Sequence, residues 1–446
     1  MNDPWKRVTI KKIDGKERIK NFLPYVIPYT KEEAIVEAER CIHCPTIPCI
    51  KACPGNVKAR YYIEAIEKGN FDESLKIIRQ DLPLSAVCAD ACPAFCEDAC
   101  PRGKKGDALA IRWLKRAAED YGNYEEKPME IENPAKIAVV GAGPAGLSVA
   151  YFLAMKGHQV EIFEELDYAG GMVLVGIPKY RVPLEVLKKD VERIERIGVK
   201  FHYNTKVGKD ITLDELRKKY DAIFIGVGAH KARKANCEGE DLNGVIQAIK
   251  FLKDVALGKE IKIGKKVAVI GGGDVAMDAS RTALRLGAEK VMVVYRRSEK
   301  EMPATREEYE DAKEEGVEFH FLTAPFRIIG KEHVEGMECL KMKLGEPDES
   351  GRRKPIPIEG SNFIIDVDTV ILAIGQQPDT EWLREFEKTK WGTLVVDENY
   401  MTSIEGIFAG GDAVLGPKTI IEAVATAKKA AESIEKYIEK SQEATI

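Results

Sequence analysis

Eight of the ten cysteines in this 446-residue chain lie between positions 41 and 100, close enough in sequence to act together. They form one group with the spacing C-x2-C-x4-C-x3-C and a second with the spacing C-x3-C-x3-C-x3-C, namely Cys41, Cys44, Cys49 and Cys53, then Cys88, Cys92, Cys96 and Cys100. The first residues contain no apolar signal for secretion, so we expect a cytoplasmic protein. Thiols stay reduced there and are more often metal ligands than disulfides.

The spacing of these thiols suits iron–sulfur clusters. A cluster needs thiolates that converge on a cage, and short loops with prolines such as Pro54, Pro93 and Pro101 turn the chain to deliver them. A structural zinc site usually takes paired C-x2-C hooks separated by a longer loop, and the chain has one such hook. The pattern therefore predicts two [4Fe–4S] clusters, with one or two zinc sites as the alternative.

The segments around the cysteines favour helices. Thr30 and Glu33 form a capping-box pattern at the start of a helix that leads to Cys41, and residues 61–80 and 107–121 show helical apolar spacing. A charged, proline-containing segment at 124–130 is predicted to be a linker. The first 130 or so residues are therefore predicted to form a small helical domain that binds the clusters.

A dinucleotide-binding motif follows the linker. An apolar run at 136–140 leads into three glycines with the spacing G-x-G-x-x-G, then an apolar helix and a second strand that ends in an acidic residue. The glycines permit a tight turn and close approach to a pyrophosphate, and a carboxylate at the strand end accepts hydrogen bonds from a ribose. The predicted contact residues are Gly141, Gly143, Pro144, Ala145, Gly146 and Glu164.

A second motif of this kind begins about 130 residues further along. Its second strand, at 291–295, ends in two arginines where the first motif has a carboxylate. A carboxylate would repel a 2′-phosphate, whereas guanidinium groups can bind one, so the motif favours NADPH over NADH. The alternative is that one or both arginines lie on a solvated surface. The predicted contact residues are Gly271, Gly273, Asp274, Val275, Ala276, Arg296 and Arg297.

The C-terminal part contains a strand at 368–375 and a further segment at 406–412 that ends in Gly411 and Asp412, before an apolar helix from about 419 to 438. A carboxylate in this position suits a ribityl hydroxyl, and a helix N-terminus suits the electron-rich edge of a flavin. Gly-Asp is also common in ordinary turns, so its meaning depends on the rest of the pattern.

Composition excludes several classes of protein. The sum of Lys and Arg is 68 against 73 for Asp and Glu, a formal charge of −5, so no bulk basic field attracts nucleic acid or an anionic membrane. Residues 137–155 lack charge over nearly the length of a membrane span, but their glycines and Pro144 predict a strand, a turn and a buried helix instead. We therefore expect no nucleic-acid partner and no membrane span.

Together these motifs resemble the flavoproteins that contain two dinucleotide-binding domains. With the cysteine groups in front, the chain is similar over nearly its whole length to the small (beta) subunit of glutamate synthase. It is equally similar in plan to the NADPH-binding large subunit of electron-bifurcating NADH-dependent ferredoxin:NADP oxidoreductase (sulfide dehydrogenase) and to the N-terminal half of dihydropyrimidine dehydrogenase. Further segments that support the resemblance are Gly226-Val227-Gly228-Ala229, Tyr295-Arg296-Arg297-Ser298, Glu301-Met302-Pro303-Ala304, Ile374-Gly375 and Gly411-Asp412.

The resemblance implies an N-terminal α-helical iron–sulfur domain followed by two α/β Rossmann-like dinucleotide-binding domains, an FAD domain with an inserted NADPH domain. The corresponding divisions are 1–132 for two [4Fe–4S] clusters, 133–240 and 365–446 for FAD, and 241–364 for NADPH. NADPH would occupy the second glycine motif. FAD would occupy the first, with further contacts from Gly171, Gly228, Gly375, Gly411 and Asp412.

The resemblance also implies how the thiols are shared between the clusters. One cluster would be held by Cys41, Cys44, Cys49 and Cys100, and the other by Cys53, Cys92 and Cys96. The family usually supplies a Glu or Gln as the fourth ligand of the second cluster, and Lys115 stands at the matching position here. A lysine does not suit that role, which makes Cys88 a candidate for it.

The implied function is that of an oxidoreductase subunit that moves electrons between NADPH, FAD, two clusters and a larger redox subunit. That partner would resemble the glutamate synthase large subunit or a ferredoxin-linked flavoprotein, and a stand-alone NADPH:acceptor reductase is the alternative. Hydride transfer needs stacking and orientation, so no catalytic side chain is predicted. A disulfide reductase is disfavoured because no cysteine pair lies in the nucleotide domains, where Cys237 and Cys339 are each alone.

Overall fold

The N-terminal region is helical, as predicted. The structure, a computed structural model, describes residues 3–349 and 351–443, so the first two residues of the predicted cluster domain and the last three of the predicted FAD domain lie outside the described residues. The N-terminal elements are β1 (Lys11–Lys12), α1 (Gly15–Arg18), β2 (Val26–Ile27), α2 (Lys31–Ala38), α3 (Pro48–Ala52), α4 (Ala59–Glu67), α5 (Phe71–Arg79), α6 (Ser85–Ala91), α7 (Phe95–Asp98) and α8 (Ile111–Tyr121).

Local capping determines where several of these helices begin. The hydroxyl of Thr30 accepts a hydrogen bond from the amide of Glu33, whose carboxylate accepts one from the amide of Thr30, so the predicted capping box is confirmed. The predicted run over 61–80 is two helices rather than one. Gly69, at φ +72°, ends the first, and the side chain of Asn70 caps the second.

A five-stranded parallel sheet with the order β18-β6-β3-β4-β5 follows the linker. Helices and further apolar residues cover both faces, so Ile137 and Val139 pack into one core, whereas Ala138 and Val140 pack into another. The uncharged run at 137–155 therefore forms a strand and a buried helix, as predicted. The elements are β3 (Lys136–Val140), α9 (Pro144–Met155), β4 (Gln159–Phe163), α10 (Met172–Val175), α11 (Leu184–Arg196), β5 (Lys200–His202), α12 (Leu213–Arg217), β6 (Ala222–Ile225), β18 (Ile407–Ala409), α16 (Asp412–Leu415) and α17 (Ile420–Glu443).

The second parallel sheet has the order β11-β10-β9-β16-β8, and antiparallel strands extend from it. Its parallel strands and helices are β8 (Val245–Gln247), α13 (Ala248–Ala256), β9 (Lys266–Ile270), α14 (Asp274–Arg285), β10 (Lys290–Val294), α15 (Arg306–Glu314), β11 (Glu318–His320) and β16 (Thr369–Leu372). The antiparallel strands are β12 (Thr323–Gly330), β13 (Val334–Pro347), β14 (Arg353–Pro357) and β15 (Phe363–Ile365). A short ribbon of β7 (Lys231–Ala232) and β17 (Gln376–Gln377) connects the two α/β regions.

The strand β16 (Thr369–Leu372) lies in the second sheet, although the domain boundaries expected from the sequence assign its residues to the FAD domain. The predicted FAD domain resumes at residue 365, yet β16 pairs with β9 and β8 in the second sheet. All four of its residues are buried, and an apolar run of this kind fits the interior of either parallel sheet. Pairing between distant strands therefore decides the boundary, and the chain returns to the first sheet after β16.

The three regions meet at a buried junction of ions and aromatic rings. Arg18 of the helical region pairs with Asp311 at 3.0 Å, and Arg281 pairs with Glu315 at 2.8 Å. The guanidinium of Arg281 also lies over the rings of Tyr25, from the helical region, and Tyr180, from the first α/β region. These contacts fix the second α/β region against the other two.

In the described ranges, no helix combines the length and the apolar character that a bilayer span requires.

Candidate cofactor and cluster sites

The first glycine motif forms a narrow main-chain turn after β3. Gly141 has φ +95°, and a Cβ there would lie 2.7 Å from the carbonyl oxygen of Gly226. A Cβ on Gly146 would lie 1.9 Å from the carbonyl oxygen of Gly141, so the helix can approach the strand only because this residue is glycine. Gly171, at φ +52°, closes the other side, where a Cβ would lie 2.8 Å from the Cα of Gly143.

This turn borders a large cavity that collects most of the residues predicted for FAD. Its wall includes Gly141, Gly143, Pro144, Ala145, Glu164, Gly171, Gly228 and Asp412. Three predicted residues do not line it. Gly146 packs under the turn, Gly411 packs against Ala145, and Gly375 accepts a hydrogen bond from the amide of Arg233.

Glu164 lies at the end of β4 with both carboxylate oxygens bonded to the main chain. They accept hydrogen bonds from the amides of Ala142, at 2.7 Å, and Leu166, at 2.9 Å. Burial raises the pKa of Glu164. The side chain is thus held rigidly at the cavity wall, in the position from which a carboxylate accepts hydrogen bonds from a ribose.

Asp412 begins the short helix α16 and lines the same cavity as the glycine turn. Its carboxylate accepts a 3.1 Å hydrogen bond from the amide of Lys418, and burial raises the pKa of Asp412 to about 7. The N-terminus of the long helix α17 faces the same cavity through Thr419 and Ile420. A helix N-terminus favours negative charge, which suits the electron-rich edge of a bound flavin.

The second glycine motif has a similar backbone turn after β9. Gly271 has φ +144°, and a Cβ there would lie 2.3 Å from the carbonyl oxygen of Ala373. A Cβ on Gly272 would lie 2.6 Å from the ring of Tyr295, whereas Gly273 is open to solvent on the side where a Cβ would stand, with Pro303 4.0 Å away. Asp274 and Val275 line the large cavity, and Ala276 is buried behind them. The start of α14 thus opens toward the proposed flavin site.

The two arginines after β10 have different environments. Arg297 is 4% exposed, and its guanidinium donates hydrogen bonds to the carbonyl oxygen of Arg353, at 2.8 Å, and to the carboxylate of Asp348, at 2.5 Å. Arg296 is exposed, and its pKa is lowered by partial burial and by the positive charge of Arg297. Arg297 therefore binds the β13–β14 hairpin, whereas Arg296 is available to an anion.

Four thiols from both cysteine groups line one small cavity in the helical region. They are Cys41, Cys44, Cys49 and Cys100. The helix α3, which begins with Pro48 after the left-handed residue Ile47, brings Cys49 to this cavity, and Cys100 comes from the turn after α7. The cavity lies near the surface, because the side chain of Ile42 in its wall is 51% exposed.

The other four thiols, Cys53, Cys88, Cys92 and Cys96, lie around the side chain of Lys115. The ammonium of Lys115 is buried and donates a 3.1 Å hydrogen bond to the carbonyl oxygen of Cys88. Burial opposes its charge, but these four thiols more than offset that effect and raise the pKa of Lys115. Within residues 3–349 and 351–443, no three cysteine, histidine or acidic side chains form a site for a single metal ion.

The set of thiols around Lys115, namely Cys53, Cys88, Cys92 and Cys96, lies beside the large cavity. Ala91 and Pro93, the two neighbours of Cys92 in the chain, both line the cavity wall. The main chain on both sides of Cys92 therefore lies at the cavity wall, with Cys92 itself buried. The other set, namely Cys41, Cys44, Cys49 and Cys100, lies farther out, toward the surface.

The residues present fit the groups that the sequence predicts. The main-chain cradle at Gly141 and Gly171 leaves room that a Cβ would fill, as a pyrophosphate requires. The two sets of four thiols supply the soft ligands that iron–sulfur clusters take.

Sequence reasoning missed several residues of the cavity wall, because single polar side chains on helices and loops have no motif around them. They are Arg181, Lys206, His230, Asp278, Trp382 and Lys418.

Comparison with known families agrees with this arrangement. The pyridine nucleotide-disulphide oxidoreductase family matches residues 135–431, and the 4Fe–4S cluster domain II of dihydropyrimidine dehydrogenase matches residues 18–127. Fold and sites together define an NAD(P)H-dependent oxidoreductase with a flavin-binding core and an iron–sulfur domain. More specifically, the chain belongs to the family of the glutamate synthase small chain. It is 33% identical to the small chain of the NADPH glutamate synthase of Escherichia coli, over 98% of this chain and 97% of that one.

Other relatives are subunits of different enzymes. The chain is 45% identical to the NADP(+)-dependent formate dehydrogenase subunit beta of Moorella thermoacetica, over 88% of this chain and 60% of that protein's length. It is 41% identical to the NADPH-Fe(3+) oxidoreductase subunit beta of Geobacter sulfurreducens, over 97% of this chain and 70% of that one. The chain thus spans about two thirds of the length of these two relatives.

Solved structures match the α/β regions. The NADPH complex of FprA from Mycobacterium tuberculosis aligns with a TM-score of 0.60 at 21% identity, over 70% of this chain and 86% of that one. The thioredoxin reductase of T. acidophilum aligns with a TM-score of 0.51 at 21% identity, over 70% of this chain and all of that one. These similarities establish the two-domain α/β fold.

Proposed function

We propose that this chain is the NADPH-linked electron-transfer subunit of a larger oxidoreductase, in which electrons pass from NADPH through FAD and two [4Fe–4S] clusters to a partner subunit. The observation that supports it is the position of Cys92, whose neighbours Ala91 and Pro93 form part of the wall of the large cavity. Bound FAD accepts a hydride and releases electrons singly, which the clusters can carry.

The chain's own residues bind and orient these groups. Gly141, Gly143 and Gly171 provide the cradle for the FAD pyrophosphate, and Glu164 and Asp412 bind its sugar and ribityl hydroxyls. The opening at Gly273 and the N-terminus of α14 receive the pyrophosphate of NADPH. Arg296, which is exposed, would bind the 2′-phosphate of NADPH, whereas Arg297 is bound to the β13–β14 hairpin.

For the clusters, we propose two ligand sets drawn from the observed thiol groups. Cys41, Cys44, Cys49 and Cys100 would hold the outer cluster, near the surface. Cys53, Cys88, Cys92 and Cys96 would hold the inner cluster, beside the flavin cavity. In this arrangement Lys115 provides a positive charge next to the inner cluster instead of a ligand.

The nature of the partner follows from the relatives. Relatives that are 45% and 41% identical are named as beta subunits of a formate dehydrogenase and an NADPH-Fe(3+) oxidoreductase, and others are glutamate synthase small chains. Relatives named for such different substrates share this module, which supports substrate chemistry that lies outside the module, on another subunit. We therefore propose that the outer cluster, at the exposed side of the helical region, passes electrons to that subunit.

The test uses the chain purified without oxygen. We expect NADPH to bleach the flavin absorbance and to reduce a one-electron dye, while glutamine with 2-oxoglutarate gives no glutamate. In Cys41→Ser, flavin bleaching should persist while electron transfer to the co-purified partner is lost, and Cys237→Ser, outside both thiol groups, should behave as wild type. Glutamate formation by the chain alone would contradict the proposal, as would a wild-type flavin that NADPH leaves oxidised.

A further inference from the structure

Asp278 on α14 has one carboxylate oxygen that no described residue bonds. The residue is 3% exposed, and its Oδ2 accepts a 2.7 Å hydrogen bond from Arg181. Its Oδ1 is buried and has no hydrogen-bond partner among the described residues. A buried charged oxygen without a partner costs free energy, so a site that keeps one is suited to a ligand that donates a hydrogen bond.

The carboxylate is held in a fixed orientation. Arg181 is itself anchored, since its Nε lies 2.8 Å from the carboxylate of Glu308 on α15. Tyr180, next to it, lies under the guanidinium of Arg285 and is fully buried. Because Arg181 holds one oxygen of the carboxylate at 2.7 Å, the orientation of the carboxylate is fixed and the other oxygen stays available to a donor.

The location of Asp278 indicates which part of a nucleotide would meet it. Both Asp278 and Arg181 line the large cavity, which Gly171 and Met172 border from the flavin side. Asp278 is four residues after Asp274, so it lies about one helical turn, or ~5 Å, deeper than the N-terminus of α14 where a pyrophosphate binds. The ring end of NADPH extends from that pyrophosphate toward the flavin.

The chemistry of the ring then identifies the donor. A nicotinamide ring carries one group with N–H bonds, its carboxamide, and a carboxylate oxygen accepts from it. We propose that Asp278 Oδ1 binds the carboxamide N–H of the nicotinamide and so positions the ring against the flavin. This inference rests on the proposed function, because it presumes that NADPH occupies the α14 motif.

The experiment compares equilibrium binding of three nucleotides to the FAD-loaded full chain, with no turnover. The first is NADP+, and the second is its 3-acetylpyridine analogue, which keeps the positive ring but has a methyl group in place of the amide NH2. The third is 2′,5′-ADP, which contains the phosphate end alone. The variants are Asp278→Asn and Asp278→Ala. In the Asn variant the side-chain oxygen stays on Arg181, so that an NH2 group faces the carboxamide.

We expect the wild type to bind NADP+ about tenfold to a hundredfold more tightly than the analogue, the range for a hydrogen bond to a charged group. Both variants should reduce this preference to less than about threefold, and their affinity for 2′,5′-ADP should equal that of the wild type. Equal affinity of the wild type for NADP+ and the analogue would overturn the inference, as would variants that keep the preference. A wild type that binds neither 2′,5′-ADP nor NADP+ would overturn the proposed coenzyme site itself.

Discussion

The ammonium of Lys115 donates a hydrogen bond of 3.1 Å to the carbonyl oxygen of Cys88, and both residues are almost completely buried. This contact fixes a positive charge among four thiols, at the position where the resemblance to the glutamate synthase small subunit implies a Glu or Gln ligand. Cys88 and Cys92 lie on the same side of α6 because they are four residues, or about one helical turn, apart. The substitution of lysine for a ligand and the presence of an additional cysteine are therefore two parts of one arrangement.

The first prediction concerns the ligand role of Cys88. Wild-type protein should contain about eight irons and about eight acid-labile sulfides, as expected for two clusters. Cys88→Ala should lower both numbers to about four, because the inner cluster loses its fourth thiolate, while the outer cluster stays. Iron and sulfide analysis of anaerobically purified protein measures this. Cys339→Ala, also fully buried but distant from the clusters, is the matched control, and stoichiometric zinc without labile sulfide would contradict the cluster assignment.

The second prediction concerns the charge of Lys115. Lys115→Met keeps most of the side-chain volume and removes the ammonium, so the inner cluster should remain but become harder to reduce. Its midpoint potential should fall by several tens of millivolts, since net charge and hydrogen bonds near a cluster set its potential. A redox titration followed by electron paramagnetic resonance measures this. The outer cluster, whose cavity is lined by other residues, is the internal control, and an unchanged inner potential would show that the ammonium has no electrostatic role.

The third prediction separates the two arginines after β10. Arg296→Gln should raise the KM for NADPH about tenfold to a hundredfold relative to that for NADH, because it removes a charge-assisted contact with the 2′-phosphate. Arg297→Gln should instead lower the thermal midpoint, since a buried guanidinium loses its bonds to Asp348 and to the chain at Arg353. Steady-state kinetics with both coenzymes and a melting curve distinguish the two roles. Equal losses for NADPH and NADH in the Arg296 variant would contradict the phosphate contact.

The fourth prediction concerns Glu119 of α8, which joins the helical region to the first α/β region. Burial alone would raise its pKa, but Arg79, Arg193, Lys189 and the hydroxyl of Ser85 lower the pKa of Glu119 to about 2. A pKa that is lower in the folded state stabilises the fold above the unfolded value of about 4.3. This stabilisation is lost as the pH falls from about 4.5 toward 2.

Glu119→Gln should therefore destabilise the protein by roughly 3 kcal/mol at pH 7, where the full contribution is present. The difference from wild type should be constant between pH 7 and pH 5 and should narrow below about pH 4.5. Thermal midpoints over this range measure it, with Glu130→Gln as the control, because that side chain is exposed in the linker. A loss of stability that does not depend on pH would show that Glu119 acts through packing rather than charge.

Short sequence patterns predicted much of the fold, and they also predicted that the chain binds nucleotides and metal clusters. The strand, glycine turn and helix at 136–155 form as predicted, because main-chain sterics at Gly141 and the apolar run around it act within a few residues. The capping box at Thr30 is equally local. The cysteine spacings indicated metal chemistry, because thiols that are close together in the sequence can reach one cluster whatever the surrounding fold.

Tertiary structure decided the relations between distant parts of the chain. Cys100 joins Cys49 at one cavity because α7 and α3 pack together, a grouping that spacing alone does not determine. Arg297 is buried because the β13–β14 hairpin folds over it, and β16 lies in the second sheet because its apolar residues find partners in β9 and β8. Asp278 resembles any acidic helix residue in the sequence, and only packing brings it to the cavity wall beside Arg181, with one buried carboxylate oxygen that no described residue bonds. Local sterics and periodicity act over a few residues, whereas these contacts depend on how whole elements pack.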